Sequence, residues 1–261
     1  MKFFVSLCLF SFLLVNTSQA ADVLHIYADF RAMPKNWQND NGDAEGIQIE
    51  ILEEVSKRTG IKFTYTFAPW NRVFAQSEAG RGAIIGFSKN RAREKLWDYS
   101  DPLYFDELTF VTLKQKRFEF KNLESLRGMR IAIKRGASYG DDFEAAIKNG
   151  IFTVIETVNR AGQIQMLTRD RVDAVLLSPG KIALEGLIAE NKWLQAHRED
   201  FALVKPPYKL DPNYLGIPKS LHKSYLLGPI NAALKDIYAE GLHAEIVDRV
   251  TQKAIDIIRK K

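Results

Sequence analysis

Leu126-Arg127-Gly128-Met129-Arg130-Ile131-Ala132-Ile133-Lys134-Arg135-Gly136-Ala137-Ser138-Tyr139 begins a strand–turn–helix pattern for the second time in this chain. Gly128 precedes an apolar run over 130–134 of strand length, a glycine turn follows, and 141–148 has helical spacing. Further on, 152–155 and 172–177 read as strands flanking a helix over 161–168. Pro179 opens the next helix, a place that suits its fixed φ and missing N–H. Working back, 23–28 reads as a strand, and 46–58 as a helix with Ile47, Ile51, Leu52 and Val55 on one face. Gly60 stops it, and 61–67 alternates as a strand. A helix over 71–78 and buried strands over 83–87 and 108–113 complete the first series. Two successive β-α-β-α-β series joined by 104–121 predict two α/β lobes, not one continuous sheet. Helices over 221–240 and from 244 onward close the chain.

The N-terminus reads separately. Met1-Lys2 supplies a positive start, residues 3–15 form an apolar run, and Ser18-Gln19-Ala20 fits a small-x-small cleavage site. A membrane span needs about 20 apolar residues, so this run is expected to be a signal peptide, removed after Ala20. The single cysteine, Cys8, lies inside it, away from a lipidation position. The mature chain is then expected to lack disulfides, thiolate metal sites and a cysteine nucleophile. About 240 residues remain, enough for one large core or two medium ones. The formal charge is +5, from 37 basic and 32 acidic residues spread along the chain. No dense basic block points to nucleic acid or a membrane surface.

Motifs for common chemistries are absent. His25, His197, His222 and His243 lack metal-ligand spacing, and neither a phosphate loop nor a nucleophile elbow occurs. Neither a metal, a cofactor nor a catalytic residue is expected.

Four stretches in register resemble the bacterial periplasmic solute-binding proteins of the amino-acid type, family 3, which feed ABC transporters. Gly46-Ile47-Gln48-Ile49-Glu50-Ile51-Leu52 resembles the family's G-f-d-i-D-l helix opening. Ser88 through Arg93, then Trp97-Asp98-Tyr99-Ser100-Asp101-Pro102-Leu103-Tyr104, resembles T-x-x-R … d-F-S-x-P-Y. The opening stretch resembles L-x-G-k-x-v-a-v … G-s-x-y, and Arg171-Val172-Asp173-Ala174-Val175 resembles g-R-v-D-A-v. The resemblance covers about residues 23 to 245. It implies a type II periplasmic binding protein fold, with a ligand cleft between two α/β lobes joined by two crossing strands. The first lobe would hold 21–106 and return over 208–261; the second would span 107–207. Hinges are expected near 104–107 and 205–211. The implied protein is a periplasmic monomer that passes a small carboxylate-bearing ligand to an inner-membrane ABC permease.

The same resemblance nominates site residues. Arg93 matches the arginine that grips the ligand carboxylate, and a planar guanidinium does this with two parallel charge-assisted bonds. Ser88 at a strand end, and Ser138 ahead of a helix, would assist with hydroxyl and backbone donors; an ordinary helix cap is the alternative for Ser138. Asp29 follows the first strand and would meet a cationic or hydroxyl group, or act in a turn. Trp70 and Arg72 form a P-W-x-R motif, Trp70 as cleft wall or core and Arg72 as a second positive charge. Phe30 and Trp37 are further candidate walls. Three positions depart from the family: Ala32 replaces a stacking aromatic, Gly82 an aspartate, and Ser178 the acid expected to hold a ligand ammonium. Arg31, Arg72, Arg93 and Arg135 outnumber Asp29, so an organic acid or acidic amino-acid derivative is expected, unless Asp29 or Asp106 holds an ammonium. Two rivals stay open: a cyclohexadienyl dehydratase-like enzyme, using Glu45, Asp106 or Glu107 as acid, and a ligand-presenting sensor component.

Overall fold

The computed structural model describes residues 22–158 and 160–260. The signal-peptide reading falls outside them.

The first half contains β1 (Val23–Asp29), β2 (Arg31–Ala32), β3 (Asn36–Gln38), β4 (Ala44–Glu45) and α1 (Ile47–Thr59). It continues with β5 (Lys62–Ala68), α2 (Trp70–Glu78), β6 (Ala83–Ser88), α3 (Arg91–Glu94) and β7 (Trp97–Tyr99). The long β8 (Tyr104–Leu113) leads into β9 (Arg130–Lys134), α4 (Asp141–Lys148), β10 (Thr153–Thr157), α5 (Arg160–Thr168) and β11 (Ala174–Leu177). Then come α6 (Gly180–Ala189), α7 (Lys192–Ala196), β12 (Phe201–Leu203), β13 (Lys209–Pro218), α8 (Leu227–Ala239) and α9 (Leu242–Arg259).

The main sheet runs β10-β9-β11-β8-β13-β6-β1-β5, so β8 and β13 stand between two α/β halves. They pair antiparallel from Tyr104 opposite Asn213 to Leu108 opposite Lys209. Past that ladder each strand enters one half: β8 pairs β11 and β12, while β13 pairs β6 and β7. These are the two crossing strands of a two-lobed fold.

Each half buries its own core. Leu24, Ile26, Ile51, Leu52 and Val55 pack with Leu215, Ile230 and Leu234 in one. Phe110, Ile131, Phe143 and Phe152 fill one layer of the other, and Val111, Ala132, Leu167 and Val175 the opposite layer. Every residue of β11 is buried, as expected for a strand covered on both faces. α1 turns its apolar stripe inward and ends at Gly60, whose φ of 75° allows its N–H to bond the Ser56 carbonyl at 2.9 Å.

The start of α1 matters for the site. Its free N–H groups at Ile47 and Gln48 donate to the Pro34 and Lys35 carbonyls, both at 3.0 Å. Gly46 lies at φ 133°, and a Cβ there would stand 2.3 Å from the Lys35 oxygen. This glycine lets the Lys35 loop press directly on the helix end.

Two segments differ from the sequence reading. Residues 209–218 form a strand although Pro206, Pro207 and Pro212 suggested irregular chain near 205–211. Pro212 is paired by Phe105 of β8 alone, so its missing N–H can face away from the ladder. Residues 31–45 form a small antiparallel sheet, β2-β3-β4, which had no clear alternation to reveal it. No helix among the described residues is long and apolar enough to cross a membrane.

Candidate functional site

A pocket opens where the two halves meet at the crossing strands. Asp29, Trp70, Ser88, Arg93, Ser138 and Ser178 all line it.

Arg93 sits on α3, a single turn that follows β6. Asn90 caps this turn, its side-chain oxygen accepting from the Arg93 N–H at 2.8 Å. The guanidinium donates to the Ser88 carbonyl at 2.8 Å and to the Gly136 carbonyl, in the other half, at 3.0 Å. Its carbon lies 4.5 Å from the Phe87 ring centroid and 5.4 Å from that of Phe74. The aromatic cluster behind it, Trp70, Phe74, Phe87 and Trp97, makes this wall rigid. Burial pulls the Arg93 pKa down to about 10, against the pull of Tyr99, Glu144 and Asp211, so the group stays charged at neutral pH. No carboxylate of a described residue pairs with it.

Other bonds cross the pocket. Trp70 Nε1 donates to the Gly136 carbonyl at 3.0 Å, and Asn90 Nδ2 donates to Ser138 Oγ at 2.9 Å. Ser138 therefore ties the halves together. It does not cap α4, whose cap is Gly140 with no side-chain bond. The Ser88 hydroxyl donates to Asp211 at 2.6 Å.

Two ion pairs complete the lining. Lys35 Nζ lies 2.5 Å from Asp106 Oδ2, 3.2 Å from Asn213 Oδ1 and 3.4 Å from Ser178 Oγ. Ser178 Oγ donates to the same Asp106 oxygen. Lys134 pairs with Asp29 across the pocket. Burial pulls Lys134 down to about 8; Asp29 opposes this, and the nearby Arg160 and Lys35 charges add to it. Burial pushes Asp29 upward, but Lys134, Arg160 and the Arg31 N–H outweigh it and hold the carboxyl below its ordinary value.

Several candidates lie elsewhere. Arg72 is exposed and outside the pocket, because two residues along a helix from Trp70 is the opposite face. Trp37 is core, at 2% exposure, and Phe30 lies under Arg31 away from the lining. Of the four arginines counted from the sequence, only Arg93 lines the pocket; Arg31 and Arg135 are exposed. Glu45 pairs with Lys253, and Glu107 is exposed and accepts from Thr109. Lys35, Lys134, Arg160, Gln163 and Asp211 line the pocket without having been singled out. Isolated lysines and arginines read as surface, and only the tertiary fold brings Lys35 to Asp106, which lies 71 residues away. No group of three His, Cys, Asp or Glu side chains among the described residues is arranged to hold a metal ion.

Comparison with known proteins bears on the family and the fold. The family model of bacterial extracellular solute-binding proteins, family 3, matches residues 24–253. A curated relative from Haemophilus influenzae, a "Probable amino-acid ABC transporter-binding protein", is 23% identical over 146 residues, 53% of this chain and 56% of its own length. The matched stretch thus spans little more than half of that relative. The "Lysine/arginine/ornithine-binding periplasmic protein" of Escherichia coli is 23% identical over 257 residues, 94% of each chain. Among solved structures, an ancestral arginine-binding protein bound to arginine matches with a TM-score of 0.68 and 20% identity, over 88% of this chain and 99% of that one. At that identity the likeness shows the fold.

Proposed function

Because the chain belongs to the bacterial extracellular solute-binding proteins, family 3, we propose that it captures a small carboxylate-bearing solute outside the cytoplasmic membrane and hands it to an ABC permease. It acts as an exported periplasmic monomer, cleaved after Ala20, and as a binder without turnover. Its lobes divide as 21–106 with 208–261, and 107–207, bending where β8 and β13 pair. The observation that carries the reading is Arg93: a guanidinium 7% exposed, held by two carbonyls, lining the interlobe pocket with no acidic partner among the described residues. A buried cation left without a counter-charge is costly, and a ligand carboxylate supplies one. Capture works by population shift: the ligand binds the closed arrangement better and so favours it.

The grip should distinguish an acid from its methyl ester, which has the same skeleton and no charge. Calorimetry with matched acid–ester pairs is expected to give binding for the acid alone. Equal affinity for the ester would overturn the carboxylate reading.

A further inference from the structure

The pocket's charges do not cancel. Its three acids each have a protein cation: Asp29 has Lys134, Asp106 has Lys35, and Asp211 has Lys209 at 3.1 Å. Arg93 and Arg160 line the same pocket with no ion pair to a described residue. They come from different halves of the fold: Arg93 sits on α3 and donates to the Ser88 and Gly136 carbonyls, and Arg160 opens α5. Glu144 and Asp211 are the carboxylates whose field reaches Arg93, whereas Arg160 acts on Asp29 and Lys134. Gln163, 1% exposed, adds a lining amide nitrogen with no acceptor among the described residues.

The position where the family resemblance places a ligand ammonium, beside Ser178, is already filled by a protein cation. Lys35 Nζ occupies the space beside Asp106, Ser178 and Asn213, where its charge takes up the Asp106 carboxylate. Asp106 Oδ1 still lacks a donor among the described residues. A ligand ammonium arriving there would share one carboxylate with Lys35, and two buried like charges repel. A hydroxyl or a bare methylene brings no such conflict.

Resting on the capture reading above, we infer that the ligand is a dicarboxylate without an ammonium group. One carboxylate meets Arg93 and the other Arg160, and Lys35 stands permanently where a ligand ammonium would otherwise sit. The protein thereby selects against amino acids by carrying its own ammonium.

The test uses straight-chain dicarboxylates from malonate to adipate, each beside its α-amino counterpart, with calorimetry on the wild-type protein. Malate joins succinate and aspartate as the hydroxyl version of one skeleton. The best dicarboxylate is expected to bind on the order of 100-fold or more tighter than its amino counterpart, the scale of a buried like-charge conflict. Malate is expected to side with succinate. Lys35→Met should then narrow the ratio at least tenfold, by freeing Asp106 for the ligand ammonium. Amino counterparts that bind wild type as tightly as the plain acids would overturn the inference. If only monocarboxylates or neutral amino acids bind, this inference fails and the capture reading stands. If no acid of any kind binds, both fall.

Discussion

Arg93→Ala is expected to abolish most binding of the captured acid, raising Kd by roughly 30- to several-thousand-fold while leaving the protein folded. Truncating one partner of a desolvated, hydrogen-bonded charge pair costs about 2–5 kcal/mol, largely because the other charge is left unmet. The ligand carboxylate would be that other charge. The fold should tolerate the change because the Gly136 carbonyl keeps the Trp70 indole as donor and the aromatic wall of Phe87 and Trp97 stays packed. Arg93→Lys should fall between the two proteins, since an ammonium supplies the charge without the planar fork. Calorimetry on wild type and both variants measures this. An unchanged Kd in Arg93→Ala would remove the residue from the site.

A second large effect concerns stability. Asp106→Asn keeps the side chain's shape and deletes its charge, so Lys35, 6% exposed, would keep neutral oxygen acceptors such as those of Ser178 and Asn213 but lose its counter-charge. Breaking a buried ion pair from one side costs about 3–5 kcal/mol. For a chain of this size that is a fall in Tm of about 6–20 °C, at about 2–4 °C per kcal/mol. Adding Lys35→Met should recover most of the loss, because the uncompensated charge then disappears with its partner. Thermal denaturation of the two single variants and the pair gives the coupling directly. A wild-type Tm in Asp106→Asn would mean that the pair contributes nothing to the folded state.

Much of the architecture was legible in the sequence. Strand and helix periods differ, and the glycine-bounded restart at Gly128 marked the second α/β series that the structure builds on β9 and α4. The start of β13 was obscured by Pro212, because the exclusion of proline from strands does not hold where only one side is paired. At the pocket, Arg93 and Ser138 stood out through the family resemblance, Arg93 following a short polar loop after a strand and Ser138 lying in a glycine turn ahead of a helix. Trp37 misled for a physical reason: a large aromatic suits a cleft wall and a core equally, and only packing decides. The lysines were invisible for the opposite reason. Lys134 ends a strand like any solvated charge, and its acid, Asp29, lies 105 residues earlier. Charge pairing at such separations is a property of the fold.

Capture by population shift requires the lobes to close on the ligand about β8 and β13. Small-angle scattering with and without a saturating acid, its binding verified by calorimetry, tests this most directly. Closure makes the radius of gyration smaller in the bound protein, as cross-lobe bonds such as Asn90 to Ser138 and Arg93 to Gly136 become fully populated. A radius that stays the same while the ligand is demonstrably bound would contradict it.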